Sequence, residues 1–284
     1  MADKKSAARM KLDAATLGGV ALAVGGIITG LLLEGGKIGD VAQITAALIV
    51  LSGTFGAVMV STPMPVLLGA FRRFGSIVME QSGSPEKAID EIIGYASKAR
   101  KSGLVSLEQD ASEIEDPFLR KALNLAVDGT DMQELRNMME LDMQVREARS
   151  HAEAKVFESA GGYAPTIGII GAVLGLIQVM KHLANIDEVG KGIAVAFVAT
   201  VYGVGLANIV LIPAANKIKM RVEKQMQLQE LMLEGVLGIV EGLNPKMIRS
   251  KLDAYLEKTD APKQAKPEAA PKARGAAAPA AVEN

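Results

Sequence analysis

The fold is decided by residues 159–180, SAGGYAPTIGIIGAVLGLIQVM, a stretch that contains no Asp, Glu, Lys, Arg or His. A helix needs about 20 mainly apolar residues to cross the hydrocarbon core of a bilayer, so this stretch can cross one. Three further uncharged stretches are long enough, at residues 14–33, 41–71 and 192–216. We therefore predict an all-α integral membrane protein, in which four transmembrane helices form two hairpins joined to a helical cytoplasmic domain.

The uncharged character of these stretches also bears on function. A buried ionisable side chain normally marks an ion pathway, because such a group is costly in lipid and persists there for a functional reason. None of the four stretches contains one at mid-depth. The chain therefore lacks a membrane-embedded ionisable group of its own.

Composition excludes several other functions. The chain has no cysteine, which excludes disulfides, thiol catalysis and cysteine-ligated metals. Its formal net charge of −1 gives no reason to expect a nucleic-acid partner. The common hydrolase, zinc-protease and P-loop motifs are absent, and neither histidine has a metal-ligand companion at a useful spacing. We predict no metal site, no cofactor and no enzymatic activity.

Basic residues predict how the chain is oriented. The N-terminal arm is rich in lysine and arginine, and Arg72 and Arg73 follow the second stretch, whereas the connections at 34–40 and 185–191 are short. Lysine and arginine near the ends of membrane helices concentrate on the cytoplasmic side. We therefore expect both termini in the cytoplasm and the two short connections outside.

The chain divides by composition into five segments. They are residues 1–71, the N-terminal arm with transmembrane helices one and two; 72–158, a helical cytoplasmic domain; 159–216, transmembrane helices three and four; 217–258, C-terminal cytoplasmic helices; and 259–284, a tail rich in Ala, Pro and Lys. The tail cannot bury enough apolar surface to offset the entropy of ordering, so we predict that it is disordered.

Local signals suggest where the cytoplasmic helices lie. Ser84 followed by Pro85 is typical of a helix start. We expect a separate helix over Lys98 and Arg100. The periodic stretch at residues 131–158 is predicted to continue without a break into the third transmembrane helix.

Small residues in the apolar stretches predict close helix packing. Gly26 and Gly30 form one GxxxG pattern, and Gly171 and Gly175 form another. In lipid, small residues let two helix backbones approach closely, and packing rather than hydrophobicity drives association. The patterns predict tight bundles and an oligomer, and a packing role is favoured over a direct functional one.

Two prolines and two polar residues stand out in the third and fourth stretches. Pro165 and Pro213 lie at matching depths near the cytoplasmic ends, where each removes an intrahelical hydrogen bond and kinks its helix. A structural kink and a functional hinge both fit. Thr200 and Tyr202 are polar groups deep in the fourth stretch, although a lone threonine usually bonds a carbonyl in its own helix.

Charged residues surround a predicted turn in the cytoplasmic domain. Arg100 and Lys101 precede Gly103, and Glu108 and Asp110 follow it. Such residues usually form a solvated face. A compact patch of both signs also suits a transient, electrostatically steered contact with another protein.

Several motifs occur in a characteristic order along the chain. They are KARKSGL at 98–104, SLE at 106–108, DPFLR at 116–120, VDGT at 127–130, GYAPTIG at 162–168, ATVYG at 199–203 and NPK at 244–246. In this order they resemble the MotA family of flagellar motor stator proteins over residues 10–258.

The resemblance implies a function and partners. Several copies, expected to form a pentamer, surround two copies of a single-span MotB-like partner that brings the essential membrane Asp. Together they conduct protons across the bacterial inner membrane and turn the flux into torque on the rotor protein FliG. The chain itself would be a multi-pass protein in contact with lipid.

The resemblance also implies roles for individual residues. Arg100 and Glu108 would face the rotor. Pro165 and Pro213 would shape the channel and couple its conformational change to the cytoplasmic domain.

Three residues of the fourth stretch relate to the transported ion. In the family, Ala199, Thr200 and Tyr202 belong to a pore-lining helix, and Thr200 would face the ion path. Sodium-driven relatives tend to carry threonine at both of the first two positions. Because Ala199 removes one possible sodium ligand, this chain resembles the proton-driven members.

Two other functions are weighed against this interpretation. An ExbB- or TolQ-like energiser of outer-membrane processes shares the channel logic, but those relatives have three spans and lack the signature from Arg100 to Glu108. A secondary transporter would be expected to show inverted repeats and an intramembrane ionisable or substrate-binding group, and the sequence shows none.

Overall fold

A computed structural model describes residues 11–77, 79–80 and 84–260 of the chain. The described chain is helical except for one two-residue antiparallel pairing, between Lys11–Leu12 and Met79–Glu80. The predicted all-α fold is confirmed, and four helices are long and apolar enough to cross a membrane. From residue 261 onward, the predicted disordered tail lies outside the described residues.

Eleven α-helices, with two other helical turns between them, follow one another along the described residues. They are α1 Ala14–Leu33, α2 Ile38–Val41, α3 Ile44–Ser61, α4 Met64–Ser76, α5 Pro85–Ser102, a 3-10 turn Leu104–Leu107, α6 Glu108–Glu113, α7 Pro117–Val127, α8 Met132–Lys181, α9 Ile186–Gly205, a π-helical turn Leu206–Leu211, α10 Ile212–Val240 and α11 Pro245–Asp260.

The second apolar stretch is not one helix, which corrects the prediction for residues 41–71. Helix α3 ends at Ser61 and α4 begins at Met64. Between them, Thr62 has φ −131° and ψ 130°, the extended conformation that a residue before proline prefers. Pro63 has φ −60° and ψ 138°, so the backbone leaves the helical region at both positions.

A single helix covers the cytoplasmic segment in which we predicted two. Helix α5 begins at Pro85 after Ser84, as expected, and continues through Lys98 and Arg100 without a break. It ends at Gly103, whose φ of +82° favours glycine because a side chain is rarely accommodated there. The predicted separate helix over Lys98 and Arg100 is therefore wrong, since no strong breaker interrupts the segment.

The helices predicted to be cytoplasmic share one apolar core, the cytoplasmic core. Its largest fully buried side chains come from α5, the 3-10 turn, α7, α8 and α11, and α10 adds a continuous buried run: Ile89, Ile92, Leu107, Phe118, Leu119, Leu123, Leu135, Met139, Val236, Leu237, Ile248 and Leu252. Truncating a buried Leu or Phe side chain typically costs about 2–5 kcal/mol, so this core fixes the ends of α8 and α10 firmly.

Two long helices connect this core to the membrane segments. Helix α8 has 50 residues, and the prediction that residues 131–158 continue into the third transmembrane helix is correct. At 1.5 Å per residue it is about 75 Å long. Helices α9 and α10 are joined through the π-helical turn into one 55-residue helical segment, Ile186–Val240. The two rods link the membrane segments to the cytoplasmic core.

A charged cluster ties the start of α1 to α10. The Asp13 carboxylate accepts hydrogen bonds from Lys217 and, at 3.1 Å, from Arg221. It also caps α1 by accepting from the backbone N–H of Thr16 at 3.1 Å. The same Arg221 side chain donates to the carbonyl of Ile77 at 2.9 Å. Hydrogen bonding to Lys217 is the main reason that the pKa of the Asp13 carboxyl lies well below its usual range.

We predict that Asp13→Asn destabilises the protein at neutral pH by about 1.5–3 kcal/mol, the value of a hydrogen bond to a charged group. A carboxyl whose pKa is lowered by folding stabilises the fold above its unfolded-state pKa, and this contribution is lost as pH falls. The difference in Tm between wild type and Asp13→Asn, followed by circular dichroism in detergent, should therefore shrink below about pH 4.

The exposed Asp253 provides the control for that measurement. Asp253→Asn should change the Tm little at any pH. A difference for Asp13→Asn that stayed constant from pH 7 to pH 3 would contradict the assigned role of the Asp13 carboxylate.

Candidate functional site

Helices α8 and α9 pack so closely that their backbones touch at glycines. A Cβ placed on Gly168 would lie 2.9 Å from the carbonyl oxygen of Ala199, and one on Gly203 would lie 2.5 Å from that of Ala164. Side chains essentially never approach backbone so closely, so alanine at either position would require the helices to move apart. Both glycines are buried between the helices.

The two GxxxG patterns have different environments. In the second pattern, a Cβ on Gly171 would lie 2.8 Å from the Cβ of Ala199, and Gly175 approaches the backbone of α9 equally closely. Gly26 and Gly30 in α1 have no described atom within 4 Å of their Cβ positions. Close packing is thus confirmed for the pair in α8, whereas the pair in α1 has no packing partner within the described part of this chain.

The turns affected by the two prolines lie against each other. Pro165 lies inside α8 and cannot donate a hydrogen bond to the carbonyl of Gly161, four residues earlier. A Cβ on Gly161 would lie 2.6 Å from the side chain of Ile212, which directly precedes Pro213. The π-helical turn Leu206–Leu211 comes just before Pro213 and widens the helix there. Irregular hydrogen bonding on both helices is thus concentrated at one level of the hairpin.

The structure separates the side chains of Ala199 and Thr200. Ala199 is fully buried and faces Gly171. Thr200 is half-buried, and its hydroxyl donates to the carbonyl of Ala196 at 3.2 Å, the usual bond of a lone helical threonine. Of Ala199 and Thr200, only Thr200 is partly exposed on the surface of the hairpin.

Tyr202 binds the connection between α2 and α3. Its hydroxyl donates to the carbonyl of Val41 and accepts from the backbone N–H of Gln43 at 3.3 Å. This connection is distant in sequence, so Tyr202 fixes the N-terminal end of α3 against α9. This contact could not be predicted from the residue types, because Val41 and Gln43 bond through their backbones.

A polar residue that the sequence analysis did not single out lies in α3. Thr54 is 1% exposed, and its hydroxyl has no hydrogen-bond partner among the described residues. It occupies the same face of α3 as Val50 and Val58, whose clusters also contain residues of α8, α9 and the π-helical turn. A threonine within an apolar helix is common, so only its burial distinguishes it.

The predicted rotor-facing charges lie in the cytoplasmic domain, apart from the hairpin. Arg100 near the end of α5 and Glu108 at the start of α6 are exposed, and neither forms an ion pair with any residue that the structure describes. The turn between them is closed by Lys98 and Asp110, whose Nζ and carboxylate are 2.6 Å apart. This pair orients the two free charges on either side of Gly103.

The geometry defines a class of protein. It is an all-helical, multi-pass membrane protein whose α8–α9 hairpin has no charged residue along its closely packed part and continues as unbroken helical segments into the domain predicted to be cytoplasmic. Among the described residues there is no group of His, Cys, Asp and Glu that could hold a metal ion. The hairpin can therefore line a path for an ion, but its closely packed part does not itself supply an acidic, basic or histidine side chain.

Comparison with known proteins identifies the family. The model of the MotA/TolQ/ExbB proton channel family matches residues 110–231. Motility protein A of Bacillus subtilis is 36% identical over 253 residues, which are 88% of this chain and 93% of the relative. Chemotaxis protein PomA of Vibrio alginolyticus is 34% identical over 245 residues, 86% of this chain and 96% of the relative.

Solved structures agree with these relatives. The structure of C. jejuni MotAB matches with a TM-score of 0.81 and 33% identity, over 86% of this chain and 96% of that chain. The flagellar MotAB stator complex of Bacillus subtilis matches with a TM-score of 0.79 and 36% identity, over 85% and 95%. The chain belongs to the motility protein A family: it is a stator subunit of the flagellar motor and a multi-pass protein of the bacterial inner membrane, with the proton-channel role of its wider family.

We predict that Gly203→Ala abolishes or strongly reduces swimming, because the added methyl would meet the backbone of α8 and separate the hairpin. The matched control is Gly205→Ala, two residues away, where a Cβ has no described atom within 4 Å. Swimming speed and the amount of protein in the membrane fraction would be measured for both variants. Equal swimming of the two variants at equal membrane levels would show that the close contact has no functional importance.

Proposed function

We propose that this chain forms a pentameric ring around two copies of a MotB-like partner and conducts protons along the open face of the α8–α9 hairpin. The partner would bring the membrane Asp that the described spans of this chain lack. The solved relatives are MotAB complexes, which supports a partner of this kind. The chain itself would transmit force and have no enzymatic activity.

One observation carries the proposal: the hairpin and the cytoplasmic domain share the same two helices. The prolines Pro165 and Pro213 lie in the hairpin segment, and further along the same rods Leu135 and Leu237 lie in the cytoplasmic core. A change of shape at the proline level would therefore move the cytoplasmic core without passing through a flexible loop. This arrangement suits the conversion of ion flux into mechanical work.

The cytoplasmic domain would act on the rotor protein FliG through Arg100 and Glu108. Both side chains are exposed, and the Lys98–Asp110 pair holds the turn on which they lie. Exposed charges of opposite sign favour fast, steered and reversible encounters, which a stepping motor requires.

The orientation would place both termini in the cytoplasm. The pairing of Lys11–Leu12 with Met79–Glu80 places the start of α1 on the same side as the end of α4. Asp13 also contacts Lys217, so the charged part of α10 lies on that side too. The basic residues Arg72 and Lys217 then follow the positive-inside rule.

The transported ion would be the proton. A sodium ion needs several oxygen ligands, and position 199 supplies none because it is an alanine packed against Gly171. Thr200 remains as a side-chain oxygen that is half-exposed at this level. A single hydroxyl suits a water chain better than a sodium cage.

We predict that reversing both charges, Arg100→Glu with Glu108→Arg, impairs swimming without reducing insertion into the membrane. The altered turn would present each charge at the wrong position to the rotor. The control is Arg249→Asp with Asp90→Arg, which reverses an exposed ion pair on another part of the same domain, where the two side chains are 2.5 Å apart. Normal swimming of the Arg100/Glu108 variant, or equal loss in the control, would remove the rotor assignment.

We also predict that replacing external sodium with potassium leaves swimming speed unchanged, because protons carry the flux. A protonophore added to the same cells should stop swimming. Arrest in potassium medium would instead show a sodium path despite Ala199.

A further inference from the structure

Helix α4 does not continue the direction of α3. The rings of Phe55 in α3 and Phe71 in α4 have their centroids 6.0 Å apart. In one straight helix, 16 residues would separate these positions by about 24 Å. The break at Thr62 and Pro63 therefore turns the chain sharply, so that α4 leaves the axis of α3 and brings Phe71 beside Phe55.

One face of α4 packs against α8. Leu67 and Ala70 are buried in the core that also contains Phe157 of α8. Gly69 lies against the carboxylate of Glu153, with no room for a Cβ between them. Helix α4 is thus held beside the charged residues of α8 that directly precede its apolar stretch. We take the start of that apolar stretch as the boundary of the membrane.

The opposite face of α4 is apolar and exposed. Met64, Leu68 and Phe71 follow at spacings of four and three residues and are 53%, 53% and 50% exposed. The surface continues onto α3, where Val60 is 91% exposed. Since α3 crosses the membrane, the natural surroundings of this apolar row are the lipids at the end of that helix.

The charges beside this row are predominantly positive. Arg73 bonds the buried Glu153 at 2.6 Å, and Arg149 approaches the same carboxylate at 3.3 Å. Arg72 is exposed and forms no ion pair with any residue in the described ranges. Two arginines thus share the carboxylate of Glu153, and the charge of Arg72 is left for a ligand outside the protein.

We propose that Arg72 binds the phosphate of an anionic phospholipid in the cytoplasmic leaflet, while Met64, Leu68 and Phe71 lie among the acyl chains. A guanidinium is well suited to a phosphate because it offers several donors in a fixed plane. The apolar row beside Arg72 would hold the lipid's chains, so one lipid satisfies both features. The assignment to the cytoplasmic leaflet rests on the orientation given under the proposed function. The chemistry of the site does not depend on that orientation.

The absence of tryptophan from the chain allows a direct test. In the full-length chain, Leu68→Trp introduces a single tryptophan on the exposed face of α4, which can be excited selectively over the four tyrosines. The variant would be reconstituted into bilayers of phosphatidylcholine and phosphatidylglycerol in which one lipid or the other carries brominated acyl chains, which quench tryptophan on contact. Both leaflets hold the same lipids, so the result depends neither on orientation nor on motility.

We expect brominated phosphatidylglycerol to compete for the site about fivefold better than brominated phosphatidylcholine, since one basic residue near an anionic surface contributes about 1 kcal/mol. Adding Arg72→Gln should reduce the ratio between the two lipids to about 1, because the positive charge that attracts the anionic lipid is then absent. Adding Arg249→Gln, on the cytoplasmic domain, should leave the preference unchanged. Circular dichroism would verify that each variant is folded.

Two results would overturn the proposal. Equal quenching by the two lipids in the Leu68→Trp protein would show that Arg72 does not select a phosphate-bearing anionic lipid. No quenching by either lipid would show that another protein surface, such as a second copy of this chain, covers α4. Swimming of the Gly203→Ala or Arg100/Glu108 variant tests the proposed function, and normal swimming would count against it. Neither result would change the quenching by brominated phosphatidylglycerol or phosphatidylcholine.

Discussion

The contact between the backbones of α8 and α9 is the constraint on which the rest of the structure depends. Within a bilayer there is no hydrophobic force between helices, so their association relies on close van der Waals packing. Gly168 and Gly203 provide it by bringing Cα atoms and carbonyl oxygens together where any side chain would intervene. Because the hairpin is uncharged and closely packed, it can be rigid along its length while one face remains open to a partner.

At the level of the two prolines, the helices of the hairpin have fewer regular backbone hydrogen bonds than elsewhere. Gly161 and Ile212 are in contact, so the turn that Pro165 deprives of a hydrogen bond lies beside the turn that precedes Pro213. Above this level the glycines hold the helices together, and below it the same helices enter the apolar cytoplasmic core. In the proposed mechanism, a small change at the prolines would be delivered to the exposed turn that carries Arg100 and Glu108.

Sequence patterns predicted the features that depend on local chemistry. The four spans, the unbroken passage of residues 131–158 into the membrane and the helix start at Pro85 all follow from apolar runs and capping signals. The break at Thr62 was missed although Pro63 signals it, because the apolar run continues through it. Contacts between distant segments, such as Tyr202 with Val41, could not be predicted, since a backbone acceptor has no sequence signature.

The most direct test of the central claim is to delete the gene in its host and observe the cells by light microscopy, with staining to verify that flagella are assembled. We expect paralysed cells with complete flagella, and recovery of swimming when the wild-type gene is restored. Deletion cells that swim normally, in a host with no second set of stator genes, would contradict it.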